Sequence, residues 1–390
     1  MKPLRCLILL ASIAMAVVCQ ARTLHVATWG DDSRNAGQTQ NKSTPWRTIS
    51  RAVRDARGGD TILVAAGTYS ENVFIDRGGY PGGELILRSE EREGAKVRGW
   101  IHAVNQNYIT VENFDVVNSA SKAPTKGISF VGGHHLTVRG CKVHRCFGGG
   151  IAFDQCDWIL CEWNTAFANA YYDPGQHSGI SVYQPRYNGN DSRKYGIIIR
   201  NNRCEANYNV VPNPRFGRGT DGNGIVLDDF RGRQRGGSNY DRMTLVENNV
   251  CVRNGGNGIH CFQSQNIRIR NNTCVGNCIA FALGGDVSLS DADRVYVYNN
   301  IISTRGGRFS VHQINSTGFG VWNNLIVGQN FAAYDIGTIW ADPKFDPGTY
   351  RPSFESPAID AGMDAGDHYG LDIEGKYRFK GTIDIGAHEF

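Results

Sequence analysis

Three aspartates lie close together near the middle of the chain, at Asp221, Asp228 and Asp229. Neighbouring carboxylates repel one another unless a cation or a shared proton relieves the repulsion. One interpretation is a Ca²⁺ site, because this hard cation prefers several oxygen ligands. The other is a hydrolytic pair, in which one aspartate of the Asp228-Asp229 dipeptide stays protonated as a general acid and its neighbour activates water. The sequence leaves both interpretations open.

A second set of residues suits β-elimination of a uronate sugar. That reaction needs a base for the C5 proton, an acid for the leaving oxygen and a group that neutralises the uronate carboxylate. Tyr183 is the preferred proton-transfer residue, and His177, in the turn just before the same strand, is the second. The positive charge would come from Arg186, Lys194 or Arg231.

These residues must be positioned by short strands that open with Gly-Ile. Side chains alternate between the two faces of a strand, so each isoleucine and the residue two positions later should point into a core. The outward positions three residues after each isoleucine are Val131, Asp154, Tyr183, Asp228 and Phe262. His260 also points outward, one strand position earlier. Strands stacked at about 4.8 Å would place the polar members in one groove roughly 15 Å long, where Asp154 is interpreted as a substrate contact.

Basic residues are concentrated in the loops that border this groove. Three loop segments carry Arg186, Arg193, Lys194, Arg215, Arg218, Arg231, Arg233 and Arg235. The whole chain has a net charge of only +4, so this local excess is the informative feature. Arginine forks match carboxylates and sulfates, which favours an acidic polysaccharide over nucleic acid as the partner.

A repeat of the form apolar-x-apolar-x-Asn-Asn-x-(Cys or apolar) recurs along the chain. The spacing of these Asn pairs along the chain indicates a solenoid whose coils each contain a few short strands and turns. Stacked coils would align Asn202, Asn249, Asn272, Asn300 and Asn324 into an asparagine ladder. Cys204, Cys251 and Cys274 would share one inward column as small apolar residues. A disulfide between Cys141 and Cys146, or between Cys156 and Cys161, stays open.

Both ends of the chain carry distinct segments. Residues 1–21 have the basic start and apolar run of a signal peptide, which predicts a secreted or periplasmic protein, and no later segment is apolar enough to span a membrane. Residues 22–390 then form one domain. Helical spacing over residues 44–56 predicts a short amphipathic helix that caps the first coil. Residues 356–390 would either cap the far end or contact a partner.

The opening and ending motifs resemble those of known proteins. Gly30-Asp31-Asp32, Thr44-Pro45-Trp46 and Ala66-Gly67-Thr68-Tyr69 resemble the start of bacterial parallel β-helix polysaccharide lyases, such as those that act on alginate or pectate. Ser356 to Gly362 and Asp384 to Phe390 are similar to the end of many secreted β-helix proteins. The resemblance implies an all-β, right-handed, single-stranded parallel β-helix. Asp228, Asp229 and His260 are also similar to the aspartates and histidine of β-helix polygalacturonases.

Several functions share this fold, so the prediction is ordered rather than single. The first is a secreted lyase that cleaves a uronate-containing polysaccharide by β-elimination. The alternatives are a glycoside hydrolase that uses paired aspartates, a C5-epimerase and a non-catalytic polysaccharide-binding solenoid. The choice of polysaccharide, endo or exo action, the metal and the oligomeric state stay open.

Overall fold

The structure is a computed structural model that describes residues 20–280, 284–329, 335–378 and 381–390. The predicted signal peptide lies almost wholly outside these residues. Within them, no helix is both long and apolar enough to cross a membrane.

Three parallel sheets form the body of the molecule, and each coil of the chain contributes one strand to each sheet in turn. Sheet 1 contains Thr23–Val26, Thr61–Val64, Leu85–Ser89, Ile109–Glu112, His134–Arg139, Asp157–Glu162, Ile197–Arg200, Thr244–Glu247, Gln265–Arg270, Asp293–Tyr298, Gly320–Trp322 and Asp335–Ile336. Sheet 2 contains Gly67–Tyr69, Ala95–Arg98, Asp115–Val117, Lys142–His144, Thr165–Phe167, Arg203–Glu205, Val250–Val252, Thr273–Val275, Ile301–Ser303, Leu325–Val327 and Ile339–Trp340. Sheet 3 contains Val73–Ile75, Ile101–Val104, Ile128–Val131, Ile151–Asp154, Ile180–Tyr183, Ile225–Asp228, Ile259–Phe262, Gly285–Ser290 and Phe309–Ile314. This arrangement is the predicted parallel β-helix.

The asparagine pairs form the tight turn between sheet 1 and sheet 2. The first asparagine of each pair has a positive φ, for example 54° at Asn201 and 56° at Asn248, a conformation that asparagine tolerates better than most residues. The second asparagine points inward and forms the predicted ladder. Asn202 Nδ2 donates to Asn249 Oδ1 and Asn249 Nδ2 to Asn272 Oδ1, both at 3.0 Å. The ladder is confirmed, and Asn164 extends it by one coil.

A second asparagine ladder, not predicted, runs along the turn between sheets 2 and 3. Asn169 Nδ2 donates to Asn207 Oδ1 at 3.1 Å, Asn207 to Asn254 at 2.9 Å and Asn254 to Asn277 at 2.8 Å. The series ends on the buried carboxylate of Asp286. Each coil is therefore pinned at two corners by stacked side-chain amides.

The cysteine column is confirmed. Cys204, Cys251 and Cys274 are paired in sequence along sheet 2, and all three are fully buried. Every cysteine of the described residues is a free thiol, so neither disulfide left open by the sequence forms. These residues fill the core in place of aliphatic side chains.

The N-terminal helix spans Ile49–Asp55, which is shorter than predicted. Trp46 pairs with the edge of the first strand, where its N–H donates to the carbonyl of His25, so residues 44–46 are not helical. Thr48 is the N-cap, and its hydroxyl accepts from the N–H of Arg51 at 3.1 Å. The buried face of the helix, Ile49, Ala52 and Val53, packs onto the core of the first coil.

The C-terminal segment lies along the side of the coils. Its described residues, 356–378 and 381–390, which we call the strap, run along the corner between sheets 1 and 2. The outward-facing asparagines of the turns donate to strap carbonyls, as Asn248 does to Leu371 at 2.9 Å and Asn271 to Asp384 at 3.0 Å. The strap also buries Ile385 against Ile301 and Leu325.

Candidate functional site

The outer face of sheet 3 forms the floor of a groove. The strand pairing aligns Asp154 with Tyr183 and Tyr183 with Asp228, as the alternation of side chains predicted. The inward positions between them, among them Phe153 and Leu227, are fully buried. The floor is bordered by loops on both sides, with residues 209–223 before the strands and residues 229–242 after them.

Tyr183 and Asp228 meet at the middle of the floor through a shared glutamine. Gln234, on the loop after Asp228, donates from Nε2 to Asp228 Oδ1 at 2.7 Å. The Tyr183 hydroxyl donates to Gln234 Oε1 at 3.4 Å. The sequence analysis missed Gln234, because its loop has no strand periodicity to place it.

Tyr183 and Asp228 both have a raised pKa. Burial, followed by the neighbouring charges of Asp221 and Asp229, raises the pKa of Asp228 to about 8, and the hydrogen bond from Gln234 offsets only part of this. Burial and the negative charge of Asp228 raise the pKa of Tyr183. At neutral pH the tyrosine is therefore a neutral proton donor, and the aspartate is poised to gain or lose a proton.

Asp229 does not belong to the floor, which corrects its predicted catalytic and metal-binding roles. Its φ is 56°, and this left-handed conformation turns the side chain away from the strand direction. Its carboxylate accepts from the N–H of Arg233 at 2.6 Å, the N–H of Gln234 at 3.1 Å and the side chain of Gln184 at 2.8 Å. Asp229 thus shapes the loop that carries Gln234.

The predicted calcium ligands do not converge. With Asp229 bound by its own loop, Asp221 and Asp228 alone are left, and their oxygens accept from Asn223 and Gln234 respectively. Across the described part of the chain, no three Asp, Glu, His or Cys side chains are grouped to hold a metal ion. The three-aspartate set therefore does not fit Ca²⁺.

His177 lies at the opposite edge of the floor from Tyr183. Tyr183 ends the strand Ile180–Tyr183, whose four residues extend roughly 13 Å, whereas His177 comes three residues before that strand begins. His177 Nε2 pairs with Asp173 at 3.1 Å, and Thr125 and the N–H of Gly175 also bind that carboxylate. Burial raises the pKa of Asp173, but these hydrogen bonds lower it by more, so the pKa lies below its usual value. His177 and Tyr183 are therefore not one proton-transfer pair.

Asp221 is on the coil next to His177, where the N–H of the following residue, Gly222, donates to the carbonyl of His177 at 2.8 Å. Its carboxylate accepts from Asn223 Nδ2 at 2.9 Å, and burial raises its pKa while the nearby His177 opposes the rise. The same carboxylate raises the pKa of Asp228. Asp221 is the second acidic group of the groove.

The basic residues named from the sequence divide into two groups. Arg186 is exposed and donates to the carbonyl of Gly236, so it lies on the loop above the floor. Lys194 instead pairs with Asp367 of the strap and does not line the groove. Arg231 donates to the carbonyl and carboxylate of Asp291 at 2.9 and 3.2 Å, so it is an internal tie rather than a free substrate ligand.

Asp154 is paired on the floor with a cation that the sequence analysis missed. Lys126 Nζ lies 2.7 Å from Asp154 Oδ2, and neither side chain is more than a quarter exposed. Lys126 comes from the loop before an earlier strand, so only the stacking of coils brings it to Asp154.

His260 is on the floor, where the pairing aligns it with Val226 and Ser288. Both ring nitrogens are buried without a hydrogen-bond partner. Burial and then the neighbouring His312 lower the pKa of His260 to about 4. It is therefore a neutral imidazole, and no contact joins it to Asp228.

Comparison with known proteins identifies the fold family of the chain. Residues 95–302, more than half of the chain, match the family described as a right-handed β-helix region. The chain belongs to this family. Residues 28–74 of this right-handed β-helix protein also match a family described as a protein of unknown function (DUF1565). No curated protein sequence matches the chain.

Solved structures share the fold at low sequence identity. The pectate lyase Pel9A has a TM-score of 0.57 and 17% identity, with 94% of this chain and 96% of that chain covered. XylC in complex with xylose has a TM-score of 0.56 and 13% identity, covering 79% and 70%. An alginate lyase from Paenibacillus sp. str. FPU-7 has a TM-score of 0.51 and 16% identity, covering 82% and 98%. At these identities the likeness shows the fold alone.

Proposed function

We propose that this protein is a secreted lyase that cleaves a uronate-containing polysaccharide by β-elimination. The observation that carries the proposal is the pairing of Tyr183 and Asp228 through Gln234 on the groove floor. Two groups whose pKa values are both raised, one a neutral donor and one a base near its titration point, meet the two proton-transfer requirements of elimination.

In the proposed reaction Asp228 is the base and Tyr183 is the acid. The Asp228 carboxylate takes the C5 proton, and the electrons of that C–H bond form the C4–C5 double bond. The bond from C4 to the glycosidic oxygen breaks, and that oxygen takes the proton of the Tyr183 hydroxyl. Arg186 lies on the adjacent loop and would neutralise the uronate carboxylate, which makes the C5 proton more acidic.

His177 has a different role in this scheme. Its distance from Tyr183 removes it from proton transfer, and its imidazole is held by Asp173 at the edge of the groove. We assign it, with Asp154 and Lys126, to binding of the sugar chain. His260, which no contact joins to the reacting pair, is assigned to the floor rather than to catalysis.

Three considerations support the substrate class. Exposed arginines such as Arg186 and Arg235 border the groove. Arginine suits carboxylates. Two of the solved structures that share the fold are a pectate lyase and an alginate lyase. Secretion follows from the predicted signal peptide, and a requirement for calcium stays a prediction that a chelator tests.

An inverting glycoside hydrolase is the second candidate function, and one observation favours it. Asp221 and Asp228 are two groove carboxylates whose pKa values are both raised, and the charge of Asp221 contributes to the raised pKa of Asp228. Inverting hydrolysis uses such a pair, one as acid and one as base. Asp221 would replace Asp229, whose carboxylate is bound within its loop.

The test uses the purified mature protein and a panel of alginate, pectate, glucuronan and glycosaminoglycans, with and without a calcium chelator. Elimination produces an unsaturated uronate that absorbs ultraviolet light, whereas hydrolysis produces reducing ends without this absorbance. We expect Tyr183→Phe and Asp228→Asn each to lower the rate by about 10²- to 10⁴-fold while polymer binding is retained. Asp364→Asn, an exposed carboxylate on the strap, is the matched control and should keep full activity.

Reducing ends without ultraviolet absorbance would reject elimination and assign the reaction to Asp221 and Asp228. Binding without either product would identify a non-catalytic solenoid. Full activity of both floor variants would show that the site is elsewhere.

A further inference from the structure

A recess lies at the N-terminal end of the groove floor, away from the reacting pair. Its volume is about 280 Å³, just below the roughly 300 Å³ lower end of the size range of ligand pockets. Its lining residues are Ser50, Arg54, Asn72, Phe74 and Asp76. One aromatic ring and four polar side chains match a ligand that presents both an apolar ring face and hydroxyl groups, such as a sugar.

The ring of Phe74 is exposed on the floor itself. Its strand pairing aligns it with His102, in the same outward column that continues through Ser129, and 45% of its surface is accessible. Its ring centroid is 5.9 Å from that of His102, which is in turn 5.9 Å from Trp100. Phe74 therefore has exposed surface that a ligand could contact.

The polar wall of the recess is held rigidly. Glu71 accepts from the N–H groups of Ile49 and Ser50 at 2.9 and 2.8 Å, so it pins the start of the helix Ile49–Asp55 to the strand that carries Phe74. The Ser50 hydroxyl also binds Glu71. Arg54, in the last turn of this helix, is exposed and reaches the recess. The recess is therefore formed before any ligand binds.

We propose that this recess is a remote subsite for a uronate residue of the same polysaccharide chain. The sugar ring would stack on Phe74, its carboxylate would bind Arg54, and Asn72 and Asp76 would accept hydrogen bonds from its hydroxyl groups. The inference rests on the proposed function for its substrate class. The floor is continuous from Phe74 to the strand of Tyr183, four coils away, which is roughly 19 Å at 4.8 Å per coil.

Binding energy from the recess is available only to chains long enough to reach from Tyr183 to Phe74. The enzyme should therefore prefer polymers and long oligosaccharides to short ones.

The test measures equilibrium binding, so its outcome does not depend on turnover. Uronate oligosaccharides of graded length are titrated into Asp228→Asn, and into the same protein with Phe74→Ala or Arg54→Ala added. We expect each added substitution to weaken binding of the long oligosaccharides by about tenfold, the scale of one aromatic contact, and to leave short ones unaffected. Phe354→Ala, which removes an aromatic ring that is 74% exposed outside the groove, is the matched control. Circular dichroism checks that every variant is folded.

Unchanged affinity of both recess variants for every length would overturn the proposal. An equal loss for short and long oligosaccharides would also overturn it, because the recess would then not be remote. Loss with Phe74→Ala alone would reject the uronate assignment of Arg54. Failure of the proposed elimination would instead appear as absent product with the unsubstituted protein, while the length dependence of binding by Asp228→Asn stays intact.

Discussion

Arg270 beneath the strap and Asp228 on the groove floor have opposite electrostatic surroundings. Under the strap the side chain of Arg270 is fully buried, yet it pairs with Glu247 at 2.9 Å and with Asp367 at 2.5 Å. On the floor, Asp228 has no cation partner in the described contacts, and the ring nitrogens of His260 are buried without a partner. Arg270 is therefore a buried cation with two anionic partners, whereas Asp228 and His260 on the floor have no charged partner in the described contacts.

The contrast separates stability from function within one repetitive fold. Paired buried charges give a unique, rigid arrangement, whereas a desolvated carboxyl group without a cation lowers stability and is available for chemistry. The strap side should therefore respond to substitution by unfolding. The floor should respond by changes in activity or in the pH dependence of stability.

The largest expected effect is that of Arg270→Ala. Removing this side chain leaves Glu247 buried without its cation, which should lower the free energy of unfolding by about 3–5 kcal/mol. Urea denaturation measures the change. Arg253→Ala is the control, because its side chain is 60% exposed beside Glu205 and such pairs contribute about 0–1 kcal/mol. Equal losses for both variants would contradict the contrast between buried and exposed pairs.

Asp228→Asn should instead raise the free energy of unfolding. The pKa of Asp228 is about 8 in the folded protein against an ordinary value of 3.8, so between these values the folded state holds more protons than the unfolded state. Stability due to this group therefore falls as the pH rises from about 4 to about 8. The variant lacks this loss, so the difference in free energy of unfolding between the variant and the wild type should grow across that range. It should reach roughly 2 kcal/mol, which is less than the full pKa shift implies because the loop can relax. A constant difference in Tm from acid to alkaline pH would reject the raised pKa.

The asparagine turns offer a finer comparison within the strap side. Asn249→Ala removes four ladder hydrogen bonds and leaves buried partners unpaired, which should cost about 2–3 kcal/mol. Asn248→Gly removes one bond to the strap and keeps the left-handed backbone, so it should cost about 1 kcal/mol. Chemical denaturation of both variants checks the order. A reversed order would mean that the strap, rather than the inner ladder, holds the coils together.

The smallest effect is expected for Asp173→Asn. This carboxylate orients His177 at the groove edge, away from the reacting pair, so the variant should raise KM a few-fold and leave kcat unchanged. Steady-state kinetics on polymer separate the two constants. A large fall in kcat would return His177 to the proton-transfer role that the sequence analysis gave it.

The sequence was sufficient for features that depend on local periodicity. Alternation along a strand placed Asp154, Tyr183 and Asp228 in one column, and the repeat aligned the ladder and the cysteines. These features follow from the pattern within one coil and the stacking of identical coils. Side-chain direction on a strand requires no knowledge of distant residues.

The remaining features depended on loop conformation and on distant contacts. Asp229 follows Asp228 directly, but a positive φ turns its carboxylate into the loop, and no periodicity reveals that change. Lys194 is adjacent in sequence to the groove loops, yet it binds Asp367, 173 residues away. Lys126 reaches Asp154 from the loop of an earlier coil, and Gln234 reaches Asp228 from the loop that follows it.

The pH dependence of ultraviolet product formation tests the central claim most directly. If Asp228 is the base, only its deprotonated form is active, so kcat/KM should rise with pH and level off above about 8, and Asp228→Asn should lose both the activity and this dependence. A rate that instead falls above that pH, with reducing ends as the product, would contradict elimination and make Asp228 the acid of a hydrolase.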